Sequence, residues 1–290
     1  RVLQLASPSF DVFVSEVFSA LLTGARLCMA DREALRPGPG LLTLLEELAI
    51  TTVGLPPSLM AQLDSSGLPA LTTLFTGGDV CAPEVARRWS AGRRFLIEYG
   101  PTETTICATL NEEAGPERLG IGRPMQGVQA YLLDEALQPV PVGVPGEVYL
   151  GGVGVGRGYL GRPDWTAERF IPHPFSTRPG ARLYRTGDLG RMKAEGELEF
   201  VTRVDFQVKV RGVRIELAEV EAALRALPQV REAIVTARRE RPGETSLVAW
   251  VVPTSAEVTM TGLSAAMART LPGYMVPSRF VSLEALPLNS

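Results

Sequence analysis

The residues best equipped for chemistry lie in one short loop, Tyr99-Gly100-Pro101-Thr102-Glu103: an aromatic face, a glycine that lets backbone approach a ligand, a rigid proline, a hydroxyl and a carboxylate. Together they suit a nucleotide. The ring can stack on a base, the hydroxyl can donate to a phosphate oxygen, and the carboxylate can hold magnesium, a hard cation that takes one or two carboxylates beside phosphate oxygens. A tight turn with a capping threonine is the alternative reading of the same five residues. Asp11 stands before a helical run, where an aspartate reads first as an N-cap. His173 is the single histidine, between Pro172 and Pro174, so a Ser-His-Asp triad or a two-histidine metal site would rest on one loop residue. Cys28, Cys81 and Cys107 form no CxxC pair, which suits a reducing compartment such as the cytoplasm and argues against structural zinc. The glycine-rich stretch Gly151 to Gly158 does not fit GxGxxG, no GxxxxGK exists, and the stretch reads as a structural turn.

Those residues need elements to place them. At roughly 150 residues per domain, 290 residues imply about two domains. From Val12 to Leu22 the apolar residues recur with helical spacing and Gly24 follows as a stop. Alternation then continues: a strand at Arg26 to Met29, a helix over Leu41 to Leu48, strands near Thr51 to Gly54, Leu71 to Thr76 and Arg94 to Glu98, with helices after Pro57 and from Pro83 to Trp89. Such alternation predicts an α/β, mainly parallel sheet, with ligands beyond the carboxyl ends of the strands at the loops Thr76-Gly77-Gly78 and Tyr99 to Glu103. After about Leu119 short segments between glycines and prolines, with Glu195-Gly196 as a hairpin turn, predict a β-barrel-like subdomain. From Phe206 a strand, a helix over Arg214 to Ala226, strands at Ala233 to Ala237 and Leu247 to Val252, and a helix over Leu263 to Leu271 make a small C-terminal α+β domain. The expected division is 1–204, itself 1–118 α/β and 119–204 β-rich, followed by 205–290.

Lys plus Arg 29 against Asp plus Glu 32 gives a net charge of −3, without long blocks of either sign, so nucleic acid finds no electrostatic footprint. Apolar runs such as Val248 to Val252 fall far short of the roughly 18 residues of a membrane span.

Five stretches, IEYGPTETT at 97–105, GEVYLGGVGVGRGYLGRPDWTAERF at 146–170, YRTGD at 184–188, RVDFQVKVRGVRIELAEVE at 203–221 and LPGYMVP at 271–277, occur in the order seen in amino-acid adenylation domains of nonribosomal peptide synthetases. With FDVFVSE at 10–16, the chain resembles that family over essentially its whole length. The resemblance implies a large core joined by a hinge to a small C-terminal domain. By position, Tyr99 would stack on adenine, with Gly78, Glu98 and Gly100 beside the nucleotide. Thr102 would touch the α-phosphate region and Glu103 would be the magnesium ligand. Asp188, otherwise a turn aspartate in TGD, would accept hydrogen bonds from the ribose hydroxyls with Arg203 assisting. Asp205 matches the hinge residue, and Thr202 stands where the family has glycine. Asp11 would pair with the α-ammonium of an amino acid, in a pocket lined by Val12, Ser15, Gly54, Phe75, Gly77, Glu98, Ile106 and Cys107. Ser15, Gly54 and Gly77 would leave volume, while a buried carboxylate at Glu98 needs a partner, which points to a polar or basic substrate side chain.

The implied reaction joins an amino-acid carboxylate to the α-phosphate of ATP with release of pyrophosphate, after which the phosphopantetheine thiol of a peptidyl carrier protein displaces AMP. The carboxylate is ionised at neutral pH, so no general base is needed. The resemblance also implies a phosphate-gripping Ser/Thr/Gly loop before Arg1 and a catalytic lysine after Ser290. The chain accordingly reads as a fragment with little adenylation of its own, since one preorganised donor is worth roughly 100- to 1,000-fold in rate. A carboxylic-acid or acyl-CoA ligase and a non-catalytic carrier-protein docking module are the alternatives.

Overall fold

The computed structural model describes residues 1–204, 208–210, 213–241, 244–255 and 257–286. It divides into two compact units, Arg1–Asp205 and Phe206–Ser290. Asp205, expected as the hinge, lies outside the described residues.

The first unit opens with a seven-stranded sheet. Its elements are β1 (Val2–Leu3), α1 (Val12–Leu22), β2 (Leu27–Cys28), α2 (Pro39–Glu47), β3 (Thr52–Gly54), α3 (Pro57–Gln62), β4 (Thr73–Gly77), α4 (Pro83–Ser90), β5 (Arg94–Tyr99), β6 (Thr109–Asn111) and β7 (Arg123–Pro124). The order is β2-β1-β3-β4-β5-β6-β7; the first five strands are parallel, and β6 and β7 return antiparallel. Proline opens α2, α3 and α4, where its missing N–H costs nothing. Spacing of i, i+4 sends Leu41 and Leu45 of α2 inward, and Val85 and Trp89 of α4 follow the same rule. These residues meet Val53, Leu74 and Phe95 from the strands in one core cluster. The sheet therefore runs to Pro124, six residues past the boundary expected at 118, because β6 and β7 pair with β5 rather than with the strands that follow.

The helical pattern of α1 is real, yet its apolar stripe is not the side that packs. Val14, Phe18 and Leu21 are exposed, Phe18 by 54% and Leu21 by 57%, while Glu16 and Ala20 are buried. The reason is polar: the Glu16 carboxylate accepts from the backbone N–H groups of Leu5 and Ala6, at 3.0 Å each, and from Gln4 Nε2 at 3.2 Å. Glu16→Ala would leave those donors unpaired and is expected to cost about 2 kcal/mol, read as a shifted urea midpoint with an unchanged slope. A loss below about 0.5 kcal/mol would show that water replaces the carboxylate at no cost.

The rest of the first unit is a five-stranded antiparallel sheet of β8 (Val128–Leu133), β9 (Pro145–Gly152), β10 (Phe170–Pro172), β11 (Arg182–Met192) and β12 (Leu198–Arg203), with α5 (Pro163–Arg169) between β9 and β10. Gly196, at φ +75°, makes the β11–β12 turn that Glu195-Gly196 announced. His173 is structural: its Nδ1 accepts from the Phe175 N–H, Nε2 lies 3.2 Å from Gln129 Oε1, and the ring meets Tyr131 edge-on.

The second unit holds β13 (Val208–Val210), β14 (Val213–Ile215), α6 (Leu217–Arg225), β15 (Val230–Arg241), β16 (Glu244–Pro253), α7 (Met260–Met267) and β17 (Arg279–Ser282). Two expectations are corrected. The helix starts at Leu217 rather than Arg214, because Val213–Ile215 pairs antiparallel with Val208–Val210. The last helix begins three residues before Leu263, where the Thr259 hydroxyl caps it by accepting from Gly262 N–H, and ends at Met267. Glu221 accepts from Val235 N–H and pairs with Arg225. Among the described residues no helix is long and apolar enough to cross a membrane.

Candidate active site

The loop after β5 is built by close backbone approach. A one-turn 3-10 helix, Thr102–Thr104, follows Pro101, and the chain then places Thr105 and Ile106 at φ +65° and +71° before β6. Two successive β-branched residues in the left-handed region are strained and persist only where neighbours hold them. Gly100 is one such neighbour: a Cβ there would lie 2.3 Å from the Ile106 carbonyl oxygen. What approaches Gly100 on its Cβ side is thus the returning chain. At the surface of this turn Thr102 is exposed and its hydroxyl has no hydrogen-bond partner among the described residues. Half-buried Glu103 accepts at Oε1 from the Tyr159 hydroxyl at 2.7 Å.

Asp188 belongs to β11 and not to a free TGD turn; the strand bulges between Arg185 and Leu189, with Gly187 at φ +75°. The bulge turns Asp188 inward, where it is 5% exposed and opposite Arg203 in the β11–β12 register. Its Oδ2 accepts from the Tyr99 hydroxyl at 2.6 Å and its Oδ1 from Arg203 Nη1, while Arg203 Nη2 donates to the Thr186 carbonyl at 3.1 Å. Burial, then the neighbouring Asp188 charge, hold the Tyr99 phenol well above its ordinary range, so it remains a donor. Tyr99 itself is only 8% exposed and packs with Ala108, Ile121 and Leu150. The ring expected to stack on a base is thus largely enclosed and anchored through its hydroxyl.

The substrate-pocket residues fall into two groups. Gly54, Phe75, Gly77 and Glu98 stand on the adjacent strands β3, β4 and β5, with Gly54 opposite Phe75 and Gly77 opposite Glu98. Leu74 and Thr76, with the opposite parity, point to the other face and are buried. Gly54 faces open space. Gly77 does not simply leave volume, because a Cβ there would sit 2.5 Å from the Glu98 carbonyl oxygen; it also ends β4 instead of lying in the loop. Gly78 follows at φ +77°. Desolvation pushes the Glu98 carboxyl up to about 7, with no hydrogen bond to it among the described residues. Burial and the Glu98 charge together push the neighbouring Cys107 thiol up to about 12, so it is no nucleophile at neutral pH. Asp11, Val12 and Ser15 are on or just before α1, which packs on β1 and β2. Asp11 makes no capping hydrogen bond, against the N-cap reading. Within the described residues no hydrogen bond or ion pair joins these three to β3, β4 or β5.

Sequence reasoning missed Tyr159, which closes on Glu103 from 56 positions away. Its only signal was its place at the end of the glycine-rich stretch. Among the described residues no group of three or more His, Cys, Asp or Glu side chains could hold a metal. One carboxylate in a turn with an exposed hydroxyl still fits magnesium carried on phosphate oxygens, the ion that asks least of protein ligands.

A parallel sheet whose strand-end loops carry hydroxyl and carboxylate groups, locked to a buried Asp–Arg pair on a second sheet, defines a nucleotide-binding α/β enzyme. The chain belongs to the AMP-binding enzyme family: that family matches residues 1–160, and the AMP-binding enzyme C-terminal domain matches 219–290. It is similar to a linear gramicidin synthase of Brevibacillus parabrevis, 51% identical over 291 residues that cover all of this chain and 6% of that protein. Phosphinothricin tripeptide synthetase PhsC of Streptomyces viridochromogenes is 46% identical over 292 residues, covering all of this chain and 27% of the synthetase. Among solved structures, holo-PA1221, an NRPS protein containing adenylation and PCP domains bound to a vinylsulfonamide inhibitor, superposes with TM-score 0.86 at 31% identity, covering 100% of this chain and 51% of that one. The Vibrio cholerae adenylation domain AlmE, in complex with glycyl-adenosine-5'-phosphate, gives 0.84 at 26% identity over 99% and 56% of the two chains. The chain therefore spans a small part of these synthetases and about half of these solved chains.

Proposed function

We propose that this chain contributes the nucleotide and amino-acid sites of an ATP-dependent ligase that activates an amino acid as its aminoacyl-adenylate and passes it to a carrier protein. The observation that carries this reading is the buried Tyr99–Asp188–Arg203 network, which ties the end of β5 to β11 and β12 and fixes the turn bearing Thr102 and Glu103 beside it. The ionised substrate carboxylate attacks the α-phosphorus of ATP; the new oxygen–phosphorus bond forms as the bond to pyrophosphate breaks. A phosphopantetheine thiolate then attacks the acyl carbon and AMP leaves with the electron pair. For the first step Thr102 donates to a phosphoryl oxygen, Asp188 with Arg203 holds the ribose, and Asp11 receives the substrate ammonium. Magnesium bound at Glu103 would supply charge neutralisation at the phosphates. Three free cysteines suit the reducing cytoplasm.

The amino-acid class follows from Glu98. A desolvated carboxylate without a partner among the described residues favours a substrate side chain that donates hydrogen bonds or carries positive charge. ATP–pyrophosphate exchange across an amino-acid panel, using the full-length protein that contains this chain, is expected to peak with a basic or polar amino acid. Glu98→Ala should lower that preference about tenfold, the loss of one charge-assisted contact. A preference for a purely aliphatic amino acid would refute the Glu98 assignment. Turnover of an acid lacking the amine, indifferent to Asp11→Ala, would favour an acyl-CoA ligase, and absence of AMP binding by calorimetry would favour a docking module.

A further inference from the structure

The glycine-rich stretch that follows β9 is folded tightly against the turn that carries Glu103. Gly156 N–H donates to the Glu103 carbonyl at 2.8 Å, and the Thr105 hydroxyl donates to the Gly154 carbonyl at 2.7 Å. Contact is close enough that a Cβ on Gly154 would lie 2.7 Å from the Thr104 carbonyl oxygen. Arg182 fastens the stretch from β11, donating to the carbonyls of Gly156 and Arg157 at 2.8 Å each. The stretch ends in Tyr159, whose hydroxyl reaches Glu103 Oε1 at 2.7 Å and Tyr184 Oη at 3.3 Å. Phe170 and Trp165 meet the Tyr159 ring edge-on, at 5.5 Å and 6.3 Å between centroids, and fix its direction.

We propose that residues 152–159 are a positioning strap for Glu103: backbone contacts hold the strained turn, and Tyr159 orients the carboxylate toward the cation of the nucleotide complex. This rests on the reading of Glu103 as the cation ligand. A hydrogen bond to a ligating carboxylate sets its direction and typically changes metal affinity by 10- to 100-fold. Glycine at 154 is then required by the approach of the Glu103 turn, not by a phosphate, and a Cβ at 156 would press on the Glu103 carbonyl oxygen at 3.1 Å.

The test is Mn2+ titration of the full chain with a non-hydrolysable ATP analogue, followed by electron paramagnetic resonance, together with amino-acid affinity and melting temperature. Tyr159→Phe, which removes only the hydroxyl, is expected to weaken Mn2+ about tenfold while amino-acid affinity stays within about twofold. Thr105→Val, at an exposed residue, is expected to weaken it by a smaller factor, about threefold, and decides the matter should Tyr159→Phe fail to fold. Mn2+ affinity unchanged in both variants would overturn the strap while leaving Glu103 as ligand. Equal loss of metal and amino-acid affinity with a lowered melting temperature would reduce Tyr159 to a packing role and also overturn it. Absence of analogue-dependent Mn2+ binding in the unsubstituted chain would overturn the reading of Glu103 and the strap with it.

Discussion

Asp188→Ala is expected to destabilise the first unit by about 4 kcal/mol, within the roughly 3–5 kcal/mol range for removing one partner of a buried ion pair. The carboxylate is 5% exposed and satisfies two buried donors at once, the Tyr99 hydroxyl and the Arg203 guanidinium. Its removal takes from Arg203, whose side chain is 13% exposed, the carboxylate to which its Nη1 donates. Tyr99→Phe should be far milder, about 1 kcal/mol, because it withdraws a neutral donor and strands no charge. Adding Arg203→Met to Asp188→Ala should recover part of the loss by removing a largely buried cation that has lost the Asp188 carboxylate. Urea midpoints at constant slope measure all three. A cost below about 1 kcal/mol for Asp188→Ala would mean that water reaches Arg203, and the network would no longer be what locks the two sheets. Nucleotide affinity should fall in the same variant, since the group proposed to hold the ribose is gone.

The second large effect is pH-dependent and belongs to Glu98. Its carboxyl rises from an ordinary 4.5 to about 7 because burial disfavours the charged form. With the folded value above the unfolded one, the favourable contribution is complete below about pH 4.5 and is lost as pH climbs through 7. The full gap corresponds to about 3 kcal/mol, at roughly 1.36 kcal/mol per pH unit. Glu98→Gln keeps the shape and removes the titration. It should match the unsubstituted chain near pH 4 and exceed it in stability by about 2 to 3 kcal/mol at about pH 8. A cationic substrate would cancel that advantage by pairing with the ionised carboxylate, so in the alkaline arm the ligand should stabilise the unsubstituted chain and not the variant. A stability difference that stays flat from about pH 4 to about pH 8 would show that Glu98 is well solvated and would remove the argument for a basic or polar substrate.

Helix and strand order in the sheet that carries the site was legible because local periodicity is written in local residues. Leu41 and Leu45 of α2, or Leu74 and Thr76 of β4, show inward spacing without help from distant chain. The Tyr99 to Glu103 loop was legible for a related reason: a strand, a glycine, a proline and two polar groups are contiguous. Polar partnerships made across the fold were not. Glu16 draws α1 onto the sheet through the backbone of residues 5 and 6, and so reverses the side that periodicity would bury. The start of α6 was misplaced because Val213–Ile215 has a strand partner a few residues upstream that competes with helix.

The sequence alone determined the α/β alternation, the β-rich stretch after it and the set of side chains proposed to meet a nucleotide and an amino acid, since each depends on residue type and short-range spacing. Only the tertiary structure decided what those side chains face. That the Tyr99 hydroxyl meets Asp188, that Gly100 admits Ile106, and that the glycines before Tyr159 lie against the Glu103 turn depend on how the chain returns upon itself. Those approaches come from packing and from the requirement that buried polar groups find partners.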